Sequence, residues 1–293
     1  MIGYPITRSD LEALIEAEKP GWLERATTRT EALISAGKYN EKSSIWSEIK
    51  RVYMSLQGDS KCAFCERKLE SVELGAGEQD VEHFRPKGKV KAWKVPKALE
   101  DQGVTAVSPQ KDAPGYYALA YHPFNYTAAC KPCNSALKSN LFPVARFYDF
   151  EGTEPANMLN ERPLLIYPIG DFDTDPEKLI AFHGISPQVV PNGGHDRHRA
   201  LATIAFFELD NAELRKNLIR ERVMVIILLH PQLEKIADKS DGSAQAMNIV
   251  AGAALAEAPH ANCARSFIRL FERDRGEAKS IFDLAVSLLG STS

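Results

Sequence analysis

The sequence lacks the features that would place it quickly. It has no excess of charge: 36 Lys and Arg stand against 39 Asp and Glu in 293 residues, a formal net charge of −3. A chain that binds polyanions through its overall charge is therefore excluded, and any electropositive surface must be local. It has no long hydrophobic run. The most apolar stretch, Val-Met-Val-Ile-Ile-Leu-Leu at 223–229, falls far short of the ~20 residues that a bilayer-spanning helix needs. The opening, MIGYPITRSDLEALIEAEKPGW, lacks a basic segment followed by an apolar one, so no export signal is expected and the cytoplasm is the expected location. Internal repeats and low-complexity tracts are also missing. What remains is an ordinary globular composition, 44% hydrophobic, long enough for one large or two modest domains.

Cysteine is scarce too, but its placement is informative. Four of the five cysteines form two Cys-x-x-Cys pairs, Cys62/Cys65 and Cys130/Cys133, and Cys263 stands alone. Thiols stay reduced in a chain with no export signal, which disfavours disulfides. Two such turns can point four thiolates at one ion and complete a tetrahedral four-cysteine zinc site. A thioredoxin-like redox pair would need a strand-helix-strand context that this region lacks, and plain buried thiols are the remaining reading. The 64 residues between Cys65 and Cys130 exceed ordinary zinc-ribbon spacing, so something sizeable must lie between the turns. Cys263 reads as a buried apolar filler.

The chain divides into three textures. Residues 1–60 read as helical: SDLEALIEAE opens with a Ser-Asp capping signal, and Ile45, Ile49, Val52 and Leu56 recur at helical spacing. Residues 61–150 are irregular, and the stretch from Gly88 to Gly115 predicts a long loop. Residues 151–293 begin with an extended segment, RPLLIYPIGDF, and continue as helices with a break near Asp210-Asn211. Leu201, Ile204, Phe207, Leu214 and Leu218 are expected in the core, with a partner-binding face as the lesser reading. The fold class expected is α+β, mainly helical around a small mixed core.

Between the cysteine pairs lie DVEHFRPK (80–87) and YYALAYHPFNYTAACKPCNSALKSN (116–140). Taken alone, Glu82 beside His83 is more often a solvated strand end than a metal ligand beside a general base, and these residues by themselves do not decide between the two. A neutral His can serve as the base. A carboxylate with an amide oxygen suits Mg²⁺ or Mn²⁺ better than a soft metal. Neighbouring strand residues face opposite ways, so the pair converges only if the strand ends or bends there, as Pro86 allows. Pro132 is placed to begin a short helix on which Asn134 and Lys138 would share a face.

These motifs, in this order, resemble the HNH endonucleases. The resemblance implies a ββα-metal core supported by a structural zinc on Cys62, Cys65, Cys130 and Cys133. It implies Glu82 and Asn134 as ligands of a catalytic Mg²⁺ or Mn²⁺, His83 as general base, and Asn125 as the residue fixing the loop that carries the base. Many members have His where this chain has Asn134, so this would be an H-N-N version. The segments CAFCE, EHFRPK, LAYHPFN, CNSALKSNLFP and ERPLLIYP, with ATIAFFELDNAELRKNLIRER further on, are similar to the PtuB-like HNH proteins of retron and Septu antiphage systems. That likeness, over roughly 60–230, implies a nucleic-acid-degrading effector working beside a separate ATPase.

Arg85, Lys87, Lys89, Lys91, Lys94 and Lys97 follow the Glu-His pair without an intervening acid, a local basic patch suited to phosphates. Arg85 and Lys87 are the expected nearest contacts, with Lys89 and Lys138 beside them. No residue suggests base readout, so little sequence specificity is expected. DFDTDPE (171–177) is not a calcium loop, because Pro176 occupies the position that needs Gly. NGGHDRH (192–198) reads as a turn and helix cap, and His122 as structural. The sequence thus predicts a metal-dependent HNH endonuclease acting on DNA. A non-catalytic zinc-knuckle module that binds nucleic acid or an ATPase is the alternative.

Overall fold

The computed structural model describes residues 1–75 and 77–290. Its first helix, α1 (Arg8–Glu18), is capped by Thr7, which accepts from the Asp10 amide at 3.2 Å and whose hydroxyl meets the Asp10 carboxylate at 2.6 Å. The cap therefore lies two residues before the Ser-Asp pair, with the Thr7 hydroxyl accepting from the Asp10 amide and donating to its carboxylate. Helix α2 (Trp22–Ala36) stops at Gly37, whose φ of 63° suits a residue without Cβ. A 3-10 turn, Trp46–Ile49, leads into α3 (Lys50–Leu56), burying Ile45, Ile49 and Val52.

The central stretch forms an antiparallel pair, β1 (Gln79–His83) with β2 (Tyr126–Cys130), in the register Gln79↔Cys130 to His83↔Tyr126. A π-helical segment, Pro132–Lys138, follows directly. The expected loop between Gly88 and Gly115 holds a short helix, α4 (Lys97–Glu100). Its two ends touch: the Tyr116 amide donates to the Pro86 carbonyl at 2.9 Å, and a Cβ on Gly115 would stand 1.8 Å from the Gly88 oxygen. Gly115, at φ 79°, therefore has both a steric and a conformational reason to be glycine. Val95, Leu99 and Val104 seal the excursion against Leu164 and Ala202.

The segment expected to be extended, 162–172, is irregular, with bends at Leu164 and Leu165 and left-handed backbone at Arg162 and Gly170; it buries Leu164, Leu165, Ile166 and Tyr167 and meets its neighbours through bridges at Pro163 and Ile169. Pro163 and Pro168 remove donors that a longer ladder would need. Beyond them come α5 (Pro176–Leu179), the hairpin β3 (Ile180–His183) and β4 (Ser186–Val189), then α6 (Gly194–Phe206) and α7 (Lys216–Ala237). Between α6 and α7 the Asn211 side chain accepts from the amides of Glu213 and Leu214, so the helix breaks where the sequence suggested. Leu214 sits in that turn and is 69% exposed. Its expected core role fails because helical spacing does not continue through the break. Helices α8 (Ser243–Ala254), α9 (Ala261–Arg273) and α10 (Arg275–Gly290) complete the described chain.

Among the described residues the architecture is thus mixed, with helices and two small antiparallel sheets. The largest core draws Trp22, Phe64, Tyr126, Leu165 and Phe207 together from all three sequence textures. A second core gathers Val223, Ile226, Leu229, Phe267 and the buried Cys263 among the last helices. No described helix is long and apolar enough to cross a membrane.

Candidate active site beside a four-cysteine cluster

The cysteine turns close on each other because β2 runs from one to the other's side. The Ala63 amide donates to the Ala128 carbonyl at 3.0 Å. Buried Gln57 clamps the same point, donating to the Lys61 and Ala128 carbonyls and accepting from the Ala128 amide at 2.7 Å. All four sulfurs lie within 4.8 Å of one another and are buried, so the cluster can hold a metal ion. The Cys65–Cys130 sulfur separation of 3.8 Å matches the roughly 3.8 Å edge of a tetrahedron with ~2.3 Å metal–sulfur bonds. The cluster is also supported from outside. The Cys130 amide points at the Cys62 sulfur, and Arg215 points a guanidinium N–H at the Cys133 sulfur, each at 3.5 Å. Burial pulls the Arg215 guanidinium down, but the neighbouring thiolates more than offset this and hold it firmly charged.

One strand away lies His83. Strand β1 ends at this residue, and its side chain and that of Glu82 border one cavity of about 560 Å³ despite being neighbours in sequence. The imidazole Nε2 is 3.0 Å from the Ala120 carbonyl, which can only accept. Nε2 therefore carries the proton, and Nδ1 keeps its lone pair in the neutral ring. The ring is held edge-on between Trp46 and Tyr126, with centroids 4.7 and 5.0 Å away. Burial, reinforced by the charge of Lys87, pushes the imidazole well below its ordinary 6.5, so it is neutral at neutral pH.

Asn125 is wholly buried and uses its amide fully. Its Oδ1 accepts from the Arg85 amide at 2.7 Å, and its Nδ2 donates to the Arg85 and Leu119 carbonyls at 3.0 Å. It thereby ties the chain just past His83 to the turn that presents Ala120. Asn134 lies on the π-helical segment, half-buried, and lines the same cavity.

Lys138 departs from expectation. It lies on the π-helical segment, where the Ser139 amide reaches back five residues to Asn134, but it does not reach the surface. Lys138 is fully buried, donating to Glu82 Oε1 at 2.5 Å and to the His83 carbonyl at 2.9 Å. It is an internal counter-ion and not a surface contact for nucleic acid. Burial raises the Glu82 carboxyl, with Lys138 opposing.

Arg85 is likewise corrected. It is 1% exposed, paired with buried Glu161 at 3.0 Å and set over the Phe142 ring. Its charge is used inside the protein because Pro86 and the Asn125 clamp turn the chain inward. Lys87 does border the cavity, its Nζ 4.4 Å from the Trp46 ring centroid. Lys89, Lys91 and Lys94 are exposed, and no carboxylate lies within 4.0 Å of them among the described residues, whereas Lys97 pairs with Asp101. The Lys91 amide bonds to the carbonyl of Asn140, a cavity residue, so this basic strip runs to the cavity's edge.

Sequence reasoning missed the wall opposite His83. Trp46, Ser47 and Lys50 come from the N-terminal helices, and Ser135, Ser139 and Asn140 from the turn after Cys133. The aromatic-lysine proximity of Trp46 and Lys87 had no local signal, as the two are far apart in sequence. The other secondary readings stand as structure: His122 accepts from the Phe124 amide, and α6 begins at Gly194 behind its cap, Gly193. Asp173 pairs with Arg199, and Asp175 caps α5. Compared with family models, with curated proteins and with solved structures, the chain finds no match.

Proposed function

We propose that the protein is a metal-dependent endonuclease of the HNH kind, hydrolysing phosphodiester bonds of DNA with little sequence specificity. The observation that carries this reading is the 3.0 Å contact of His83 Nε2 with the Ala120 carbonyl, which assigns the ring proton to Nε2 and leaves the Nδ1 lone pair free in a ring that borders a polar, lysine-flanked cavity. In this reading β1, β2 and the Pro132–Lys138 segment form the ββα-metal core. The four-cysteine cluster would hold a structural zinc; its donor type and sulfur spacing fit that ion.

Glu82 Oε2 and the Asn134 side-chain amide have no protein partner among the described residues and line the same cavity, a donor pair suited to Mg²⁺ or Mn²⁺. A bound divalent ion would stabilise charge on the leaving oxygen. His83 Nδ1 takes a proton from the attacking water, and the Ala120 carbonyl stabilises the imidazolium that results. Asn125 keeps the base aimed by fixing both the Arg85 backbone and the turn bearing Ala120. Lys87 faces the scissile phosphate, and Lys89, Lys91 and Lys94 guide the strand. An antiphage role beside a separate ATPase is part of the proposal and rests on the resemblance of the motifs alone.

The test is cleavage of supercoiled plasmid with Mg²⁺ or Mn²⁺ by the wild-type chain and by His83→Ala. Cleavage by wild type, lost by at least about a hundredfold in the variant at unchanged zinc content, is expected. Equal cutting by both would remove His83 as the base. An inert wild type, with and without a candidate ATPase, would favour the zinc-bearing binding module instead.

A further inference from the structure

The cavity beside His83 is poorly prepared to receive a free cation. Both of its carboxylates already have an ammonium partner: Asp80 is paired with Lys131, and Glu82 with Lys138 at 2.5 Å. Two more lysines line it without a carboxylate within 4.0 Å among the described residues. Lys50 donates to the Gln79 carbonyl at 2.8 Å, and Lys87 lies over the Trp46 ring. Asn134 contributes no charge. The wall therefore carries a surplus of positive charge where a divalent ion would have to sit.

Lys138 cannot relieve this by swinging away. It is fully buried on the π-helical turn and anchored by two acceptors, one of them the backbone oxygen of His83. Releasing it would leave buried Glu82 without its counter-ion, which is costly in a low-dielectric setting. The charge that Lys138 cancels on Glu82 must come from elsewhere before a dication is comfortable. A backbone phosphate supplies that charge, and the same surplus of lysines attracts it.

We infer that, on the nuclease reading above, the divalent ion and the nucleic acid bind as an interdependent pair, with Lys138 keeping ion affinity low until a phosphodiester strand enters the cavity. Lys138 is then a positioning residue: it holds Glu82 Oε1 and leaves Oε2 for the ion. The coupling is reciprocal, so the strand also binds more tightly when the ion is present. An enzyme built this way is not loaded with its catalytic ion while idle.

The experiment measures Mn²⁺ binding by electron paramagnetic resonance to the zinc-loaded full chain in a His83→Ala background, which spares the strand. A thymidine oligonucleotide and its uncharged methylphosphonate counterpart are the two probes, with strand binding followed by fluorescence anisotropy. Mn²⁺ affinity is expected to rise at least about tenfold with the phosphodiester strand and not with the methylphosphonate. Adding Lys138→Met is expected to tighten Mn²⁺ binding without any strand and to shrink the strand's effect. Equal Mn²⁺ affinity with and without a strand that anisotropy shows to be bound overturns the inference and leaves the nuclease reading standing. A strand that does not bind at all, together with an inert wild type on plasmid, overturns both. The strand comparison needs no change at Lys138, so it stands even where the Lys138→Met chain fails to fold.

Discussion

The indole of Trp46 meets the imidazole of His83 edge-on, with centroids 4.7 Å apart and planes at 87°. The contact joins the N-terminal helices to the end of β1, and it orients a ring whose other edge faces Tyr126. Replacing Trp46 with Ala frees the ring and removes the platform under Lys87. Cleavage by Trp46→Ala is expected to fall at least about tenfold through kcat, while Trp46→Phe keeps most activity, since a misaimed base loses rate more than binding. Steady-state kinetics on an oligonucleotide substrate separate the two terms; equal losses in both variants would show that the ring does not orient His83.

The exposed lysines and buried Arg85 divide a basic run, continuous in sequence, into two roles. Exchanging Lys89, Lys91 and Lys94 together for Ala is expected to weaken strand binding at unchanged unfolding temperature. The slope of log affinity against log salt should fall by about two to three, since each phosphate left without its lysine lowers it by about 0.7–0.9. Arg85→Met should do the opposite, destabilising the fold by about 3–5 kcal/mol by stranding Glu161 while leaving the salt slope of the folded fraction unchanged. Denaturant titration and binding isotherms across salt check both. An unaltered slope in the triple variant would remove the strip from the binding surface.

Arg215 reaches the cysteine cluster from the start of α7, donating to the Cys133 sulfur and, at 2.9 Å, to the Phe207 carbonyl. Cys133→Ser is expected to lower bound zinc and solubility together. Arg215→Met should keep the four sulfurs yet lose zinc to a chelator at least about tenfold faster, because the guanidinium offsets thiolate charge and orients a ligand. Metal analysis and chelator kinetics read this. Full zinc content in Cys133→Ser would rule out the four-cysteine site.

His195, in the first turn of α6, is pushed down to about 4 by burial, with Arg162 and Arg199 adding to it. Its folded pKa is thus below the ordinary value of 6.5 that it regains on unfolding. Between pH 6.5 and 4 the unfolded chain binds the proton first, so stability is lost as pH falls through that window and regained as pH rises. Thermal unfolding across it should show a shallower acid-side decline for His195→Asn than for wild type. Parallel curves would mean that the folded protein protonates His195 as readily as the unfolded chain.

The sequence alone determined what depends on local spacing and side-chain chemistry. Two Cys-x-x-Cys turns foretold a cluster able to hold a metal. Helical periodicity marked the flanking helices, and Asn211 marked the break between α6 and α7. That Glu82, His83 and Asn134 line one cavity was expected only from the resemblance of the motifs in their order between the cysteine pairs, since each residue alone reads blandly. What charge does was not legible. A basic run looks the same whether its members face solvent or the interior, and only packing decided that Arg85 turns in to Glu161 and Lys138 to Glu82 while Lys89 stays out. That Pro132–Lys138 winds as a π-helix has no periodic signature in seven residues. Trp46 and Arg215 approach the site from distant stretches, where a long-range contact leaves no trace in local pattern. Residue chemistry is set one position at a time, but burial and pairing are properties of the closed structure.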